Sequence, residues 1–202
     1  MSGSDDVERH KSKMEKKKAA RDKIMAAKTD ARGLVIVHTG KGKGKSTAAW
    51  GMALRMLGYG KRVGIVQFVK GKWDTGERTV FEKFGDQCVI EAHGEGFSWE
   101  SQDLERDKAA AMRAWDAASK MMADETISLV IMDEINIALR YGQLDADMVV
   151  DALKAKREDL HVVLTGRNAL EEVIENADLV TEMTLVKHPF RSGIKAQQGI
   201  EF

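Results

Sequence analysis

The sequence has one cysteine, one proline, no net charge and few aromatic residues. A single cysteine, Cys88, excludes an internal disulfide and suits a reducing cytoplasm; lying in an apolar run with no base beside it, it reads as a small core residue rather than a nucleophile. A formal net charge of +0 gives no overall basicity that would argue for nucleic acid. No apolar run approaches the ~18 residues needed to cross a membrane, and the N-terminus lacks the apolar core of a secretory signal. The five histidines, at 10, 38, 93, 161 and 188, have no zinc-site spacing, and no Ser/His/Asp arrangement can be argued from their order. What is present, 43% apolar residues over 202 positions, can bury a core and fits one domain with extensions.

The charge is unevenly placed. Residues 1–32 hold ten Lys/Arg against six Asp/Glu, a balance of +4, which leaves −4 for the remainder. Within them Val7 to Lys28 favours helix but offers only Val7, Met14, Ile24 and Met25 as apolar anchors, so it cannot form a core alone. Residues 1–30 are therefore read as an arm or lid, or as a segment without fixed structure, and 31–202 as the folded domain.

Thr39 to Thr47 reads Thr-Gly-Lys-Gly-Lys-Gly-Lys-Ser-Thr, between an apolar run (Leu34–Val37) and a segment with helical spacing. A strand turning into a helix is the context a phosphate-binding loop requires. Gly40, Gly42 and Gly44 free the backbone for positive φ and for close approach of its amides to an anion, while Lys41, Lys43 and Thr47 complete the loop. Lys45 can reach phosphates, and the Ser46 hydroxyl can bind Mg²⁺ at the helix N-terminus. The common pattern has glycine where Thr39 stands, so the loop is either a variant or one residue tighter, starting at Gly40.

Downstream, Lys45–Leu57 reads as a helix with Ala48, Ala49, Met52 and Met56 inward. Strands are expected at 63–68, 88–90, 129–134, 160–164 and 179–186. The 69–77 loop, carrying Lys70, Lys72 and Trp73, follows a strand C-terminus, where open α/β sheets place ligands. The 93–102 loop sets Phe97 and Trp99 among glycines, either to staple the loop to the core or to stack on a ligand. Helix 103–122 presents a stripe of Leu104, Ala111, Met112, Trp115, Ala118 and Met122. Asp145 caps the next helix, Asn168 to Glu171 has capping-box spacing for a short one, and the tail from Lys187 reads as a packed extension. Met132-Asp-Glu134 ends a strand in two carboxylates, an arrangement that with Ser46 holds Mg²⁺ in phosphate-loop proteins. The strand, loop, helix repetition predicts a parallel sheet of about six strands with helices on both faces, an α/β three-layer fold.

The pieces Thr39-Gly-Lys-Gly-Lys-Gly-Lys-Ser-Thr-Ala-Ala49, Val66-Gln-Phe-Val-Lys-Gly71, Gly96-Phe-Ser-Trp-Glu100, Met132-Asp-Glu134, Leu164-Thr-Gly-Arg167 and Val186-Lys-His-Pro-Phe190, in this order, resemble the P-loop family of cob(I)alamin ATP adenosyltransferases. Lys41 stands where asparagine is usual there, and Ser46 where threonine also occurs. The resemblance implies a RecA-like P-loop fold and transfer of the 5′-deoxyadenosyl group of ATP to Co(I) of a corrinoid, with release of triphosphate. It implies Mg²⁺ (or Mn²⁺) on Ser46 with Asp133 or Glu134, and charge stabilisation by Lys45 with Lys41 or Lys43. By the same resemblance Phe97 and Trp99 displace the lower axial ligand of the corrinoid, the N-terminal helix covers the neighbouring subunit's site in a homodimer, and a flavoprotein or flavodoxin is the reductant. The competing reading is a P-loop ATPase in which Glu134 activates water and the basic arm binds nucleic acid; a third is a nucleotide-binding regulator.

Overall fold

A computed structural model describes residues 3–69, 76–94 and 103–200, which form two compact units, 1–32 and 33–202. The first unit is helix α1 (Gly3–Ala26). Val7, Met14, Ile24 and Met25 are all exposed on it, as expected of a helix with too few apolar positions to build a core.

The second unit is built on six parallel strands, β1 (Val35–Thr39), β2 (Arg62–Gln67), β3 (Cys88–Ala92), β4 (Ile127–Asp133), β5 (His161–Thr165) and β6 (Leu179–Glu182), in the order β3-β2-β4-β5-β1-β6. Side chains alternate between the two faces of a strand, so the apolar runs feed two separate cores. Ile36, Val63, Ile65, Leu129, Ile131 and Val163 pack beneath helix α2 (Lys45–Gly58). On the opposite face Val35, Val37, Val66, Val130, Met132, Val162 and Leu164 meet helices α4 (Leu104–Ala123), α5 (Ile135–Arg140) and α6 (Ala146–Ala155). Between β2 and β3 lie α3 (Gly76–Phe81) and a 3₁₀ turn (Glu82–Gln87); α7 (Glu171–Glu175) precedes β6.

Side-chain caps begin two helices as the sequence indicates: Asp103 accepts from the amide of Arg106 at 3.1 Å, and Asp145 from that of Met148 at 3.1 Å. Elsewhere the structure corrects the expectations. The helix after Asn168, α7, begins at Glu171 with Leu170 at its N-cap and no side-chain cap, because Asn168 takes a left-handed conformation (φ 53°) inside the preceding turn. The buried face of α4 is Ala110, Ala111, Ala114, Trp115, Ala117, Ala118 and Met121, with Leu104 and Met112 exposed. Small alanines bring that helix close to the sheet, and the Met121 sulfur lies 2.7 Å from where a Cβ on Gly64 would stand. On α2 Ala49 is buried and Met52 and Met56 pack against the core as expected, and Trp50, Ala53 and Leu57 join them; Trp50 meets Phe81 edge-on at 5.0 Å between ring centroids. Strand β6 stops at Glu182, and α5 was not anticipated. From Pro189 to Ile200 the tail is exposed, its apolar side chains too scattered to form a face that could be buried.

The N-terminal end of the sheet is closed by polar ties. Lys156 donates to the Gly33 carbonyl at 2.7 Å, and the Leu34 amide donates to Nδ1 of His161 at 3.1 Å. That bond requires Nδ1 unprotonated. Burial, then the Lys156 ammonium, hold the His161 pKa below its ordinary value against the opposing pull of Asp159. A base with a lowered folded pKa contributes stability that is complete above its unfolded value, about 6.5, and is lost as pH falls through the folded one. The unfolding midpoint should therefore drop on acidification below about pH 6.5, and His161→Gln, which keeps an acceptor but cannot titrate, should flatten that part of the curve. Identical pH profiles for the two proteins would remove His161 from the account.

Candidate active site

At the C-terminal end of β1 the chain turns through Gly40 (φ 94°) and Gly44 (φ 102°) into α2. These left-handed angles favour glycine, and Gly44 stands at the N-cap of α2 with no side chain in the way of the amides that follow. The loop is fastened to the chain just beyond β6. The Met183 amide donates to the Thr39 carbonyl at 2.9 Å, and the Gly42 amide donates to the Met183 carbonyl at 2.6 Å. A Cβ on Gly40 or Gly42 would come within 2.5 or 2.6 Å of that carbonyl oxygen, so close approach explains both glycines. Thr39 is buried where the common pattern has glycine, and its hydroxyl accepts from the Ala169 amide at 3.0 Å, which ties the loop strand to the turn after β5.

Lys45 opens α2 and is 6% exposed. Its ammonium donates to the Gly42 carbonyl, and Nδ1 of His38 lies 3.2 Å from the Lys45 carbonyl, to which it can donate. Burial lowers the Lys45 pKa; the Glu134 carboxylate opposes this, and Arg167 and Lys43 add to it. These groups surround one cleft of about 510 Å³, whose wall includes Lys43, Lys45, Ser46, Glu77, Glu134 and Arg167. Lys41 lines a neighbouring cleft of about 480 Å³ with Asn168 and Arg191.

The two carboxylates at the end of β4 part company. Asp133 is 1% exposed, accepts from the Thr165 hydroxyl at 2.7 Å and faces the Gln67 amide nitrogen at 3.5 Å. Glu134, at the N-cap of α5 with φ 66°, makes no side-chain cap hydrogen bond and lines the cleft with Ser46; its amide donates to the Thr165 hydroxyl at 2.9 Å. Strand β5 lies between β1 and β4, which is how Thr165 reaches Asp133. Among the described residues no group of three or more His, Cys, Asp and Glu is placed to hold a metal ion. Cys88 is buried and its thiol is pushed up to about 11, which fits a core role.

The cleft thus brings together Gly42, Lys43, Gly44, Lys45, Ser46, Thr47 and Glu134, sets Asp133 beneath it, and leaves Lys41 to one side. Phe97 and Trp99, like Lys70, Lys72 and Trp73, lie outside the described residues. Sequence reasoning gave no role to Arg167 or Thr165, although Thr-Gly-Arg directly follows a strand end, where such sheets bind ligands.

A parallel sheet whose first strand runs through this loop into a helix, with an acid-tipped strand one position removed, defines the chain as a P-loop protein of the nucleotide-binding α/β class. Residues 31–202 match the family described as ATP:corrinoid adenosyltransferase BtuR/CobO/CobP, and residues 1–25 the one described as Cob(I)alamin adenosyltransferase N terminal. The chain belongs to the ATP:corrinoid adenosyltransferase family and is a transferase with ATP and a corrinoid as substrates. It is 60% identical over 199 residues to a corrinoid adenosyltransferase of Sinorhizobium sp., covering 98% of this chain and 93% of that one. A corrinoid adenosyltransferase of Pseudomonas aeruginosa is 50% identical over 195 residues (96% of each chain), and one of Escherichia coli K12 is 41% identical over 195 residues (96% and 98%). The fold alone is shared with the flagellar accessory protein FlaH of Methanocaldococcus jannaschii, at TM-score 0.51 and 12% identity over 74% of this chain and 70% of that one.

The loop's fastening has a measurable sign. Gly42→Ala forces a methyl group against the Met183 and Thr184 backbone and should cost roughly 1–3 kcal/mol. Gly51→Ala, on α2 with nothing within 4 Å, should gain about 0.5–1 kcal/mol. Denaturant titrations that show the two shifts with the same sign would contradict the loop geometry.

Proposed function

We propose that the 510 Å³ cleft holds the triphosphate of ATP, and that the chain transfers the 5′-deoxyadenosyl group to Co(I) of cob(I)alamin or cob(I)yrinic acid a,c-diamide in adenosylcobalamin synthesis or salvage. The observation that carries this is the convergence of Lys43, Lys45 and Arg167 with the start of α2 on one cleft, in a chain 60% identical to a corrinoid adenosyltransferase. The Co(I) electron pair attacks the 5′ carbon, the C5′–O bond breaks, and its pair leaves on the triphosphate. Co(I) is already a strong nucleophile, so the protein needs no general base; it must align the attack and stabilise the departing charge. Lys45 and the amides of the Gly40–Thr47 loop other than that of Gly42 supply fixed positive charge there, joined by Lys41 or Lys43. ATP lies reversed in the loop relative to ordinary NTPases, so that the 5′ carbon faces the corrinoid.

The donors fit Mg²⁺ (or Mn²⁺): the Ser46 hydroxyl at the start of α2 and the Glu134 carboxylate are hard oxygen ligands on the same cleft, whereas Asp133 is engaged by Thr165 and acts from beneath. A bound ion would screen the triphosphate charge. Phe97 and Trp99 displace the lower axial ligand, because an aromatic wall offers the metal no replacement and four-coordinate Co(II) is easier to reduce. Residues 1–30 act as an arm over the site of a second copy in a homodimer, which their exposed apolar residues and lack of a core support. A flavoprotein or flavodoxin supplies the electron, and the free thiol of Cys88 supports a reducing, cytoplasmic setting. Among the described residues no helix is long and apolar enough to cross a membrane.

Incubation with ATP and chemically reduced corrinoid should yield triphosphate and a light-sensitive organocobalt spectrum in equal amounts. ADP formed without dependence on corrinoid would instead point to hydrolysis. The aromatic pair has its own signature. A Phe97→Ala, Trp99→Ala double variant should lose the spectrum of four-coordinate Co(II) and at least tenfold of the rate from Co(II), yet keep most of the rate from preformed Co(I), since the ligand problem belongs to reduction. Equal losses in both assays would leave these residues only a holding role.

A further inference from the structure

Asn136 is fully buried at the start of α5, yet it is not satisfied there. Its Nδ2 donates to the Gly166 carbonyl at a long 3.3 Å, while among the described residues its Oδ1 has no hydrogen-bond partner. An apolar side chain of the same size would avoid that desolvation, so the core alone does not account for an amide. The place it occupies does. Two strand tips end in left-handed residues, Glu134 (φ 66°) after β4 and Gly166 (φ 129°) after β5, and each tip sends a charged side chain to the cleft, Glu134 from one and Arg167 from the other. Asn136 sits between them. A Cβ on Gly166 would stand 2.9 Å from the Asn136 Cβ and 3.3 Å from the Glu134 carboxylate, so the turn carrying Arg167 is packed directly against both residues. Arg167 is close enough to Lys45 to disfavour its proton, which puts the two cations at the same part of the cleft.

We propose that Asn136 is a positioning residue for adenosyl transfer: its amide holds the Gly166–Arg167 turn against the β4 tip, so that the Arg167 guanidinium stands beside Lys45 where charge develops on the departing triphosphate. This rests on the assignment of the cleft to the triphosphate. An interaction that strengthens as the C5′–O bond breaks acts on kcat more than on KM for ATP.

The test compares the full-length wild type with Asn136→Leu, Arg167→Ala and the double variant, using preformed Co(I) so that reduction plays no part. Asn136→Leu should melt within a few degrees of wild type or higher, lower kcat at least tenfold, and change KM for ATP less than threefold. In the Arg167→Ala background the same change should cost nothing further, because its effect passes through Arg167. A kcat within twofold of wild type, or losses that multiply in the double variant, would overturn the proposal. Should Asn136→Leu fail to fold, Asn136→Asp at pH 8 keeps the shape and removes the donor to Gly166; it should show the same kcat loss, and a wild-type kcat would again overturn the assignment. Calorimetric binding of inorganic tripolyphosphate separates the two levels. Undiminished binding by both Lys45→Ala and Arg167→Ala would overturn the cleft assignment itself, whereas weakened binding with multiplying kcat losses would overturn only the role of Asn136.

Discussion

The backbone hydrogen bond from Gly42 to Met183 is the constraint on which the rest of the site depends. It makes the loop an extension of the sheet rather than an excursion from it: β1 and β6 pair in parallel from Ile36 to Thr39, and the Met183 amide and carbonyl carry the pairing one residue further, onto Thr39 and Gly42. Side chains are excluded at Gly40 and Gly42 because the backbone of β6's continuation already occupies their Cβ positions. The direction in which the loop's amides face is thereby set by strand pairing.

Strand order supplies the second half of the site. Because β5 lies between β1 and β4, its last residue, Thr165, can donate to Asp133 and accept from the Glu134 amide, while the residues just after it reach Thr39 through Ala169 and Asn136 through Gly166. The turn after β5 therefore braces both neighbours. The acid beneath the cleft, the acid on its wall and the loop strand are joined through about five residues of one turn.

Much of this was legible in the sequence because it depends on local pattern. The apolar runs mark all six strands, and Gly44-Lys45-Ser46 after Leu34–Val37 marks the loop, since positive φ and a strand–helix junction leave their trace in residue type. The α4 stripe holds at Ala111, Trp115, Ala118 and Met122 and fails at Leu104 and Met112, because the buried face turns toward Ala110, Ala114 and Ala117, small residues that carry little hydropathy signal but let the helix approach the sheet. Asn168 misled because a capping box and a left-handed turn use the same residue type. Thr165 and Arg167 carry only the mark of following a strand end, and Asn136 carries none, because the roles of all three come from strand order, which brings positions about 30 residues apart to one point.

Lys45 shows what a loop built in this way means for its ligand. The buried Lys45 ammonium donates to the carbonyl of Gly42, the residue whose amide is committed to Met183. Gly42 is thus held through both its amide and its carbonyl, and a loop fixed in this way when the chain folds leaves little of itself for a ligand to order. Under the proposed function, binding free energy not consumed in ordering the loop remains available for fixing the ribose, and with it the angle at which the 5′ carbon is offered to the metal.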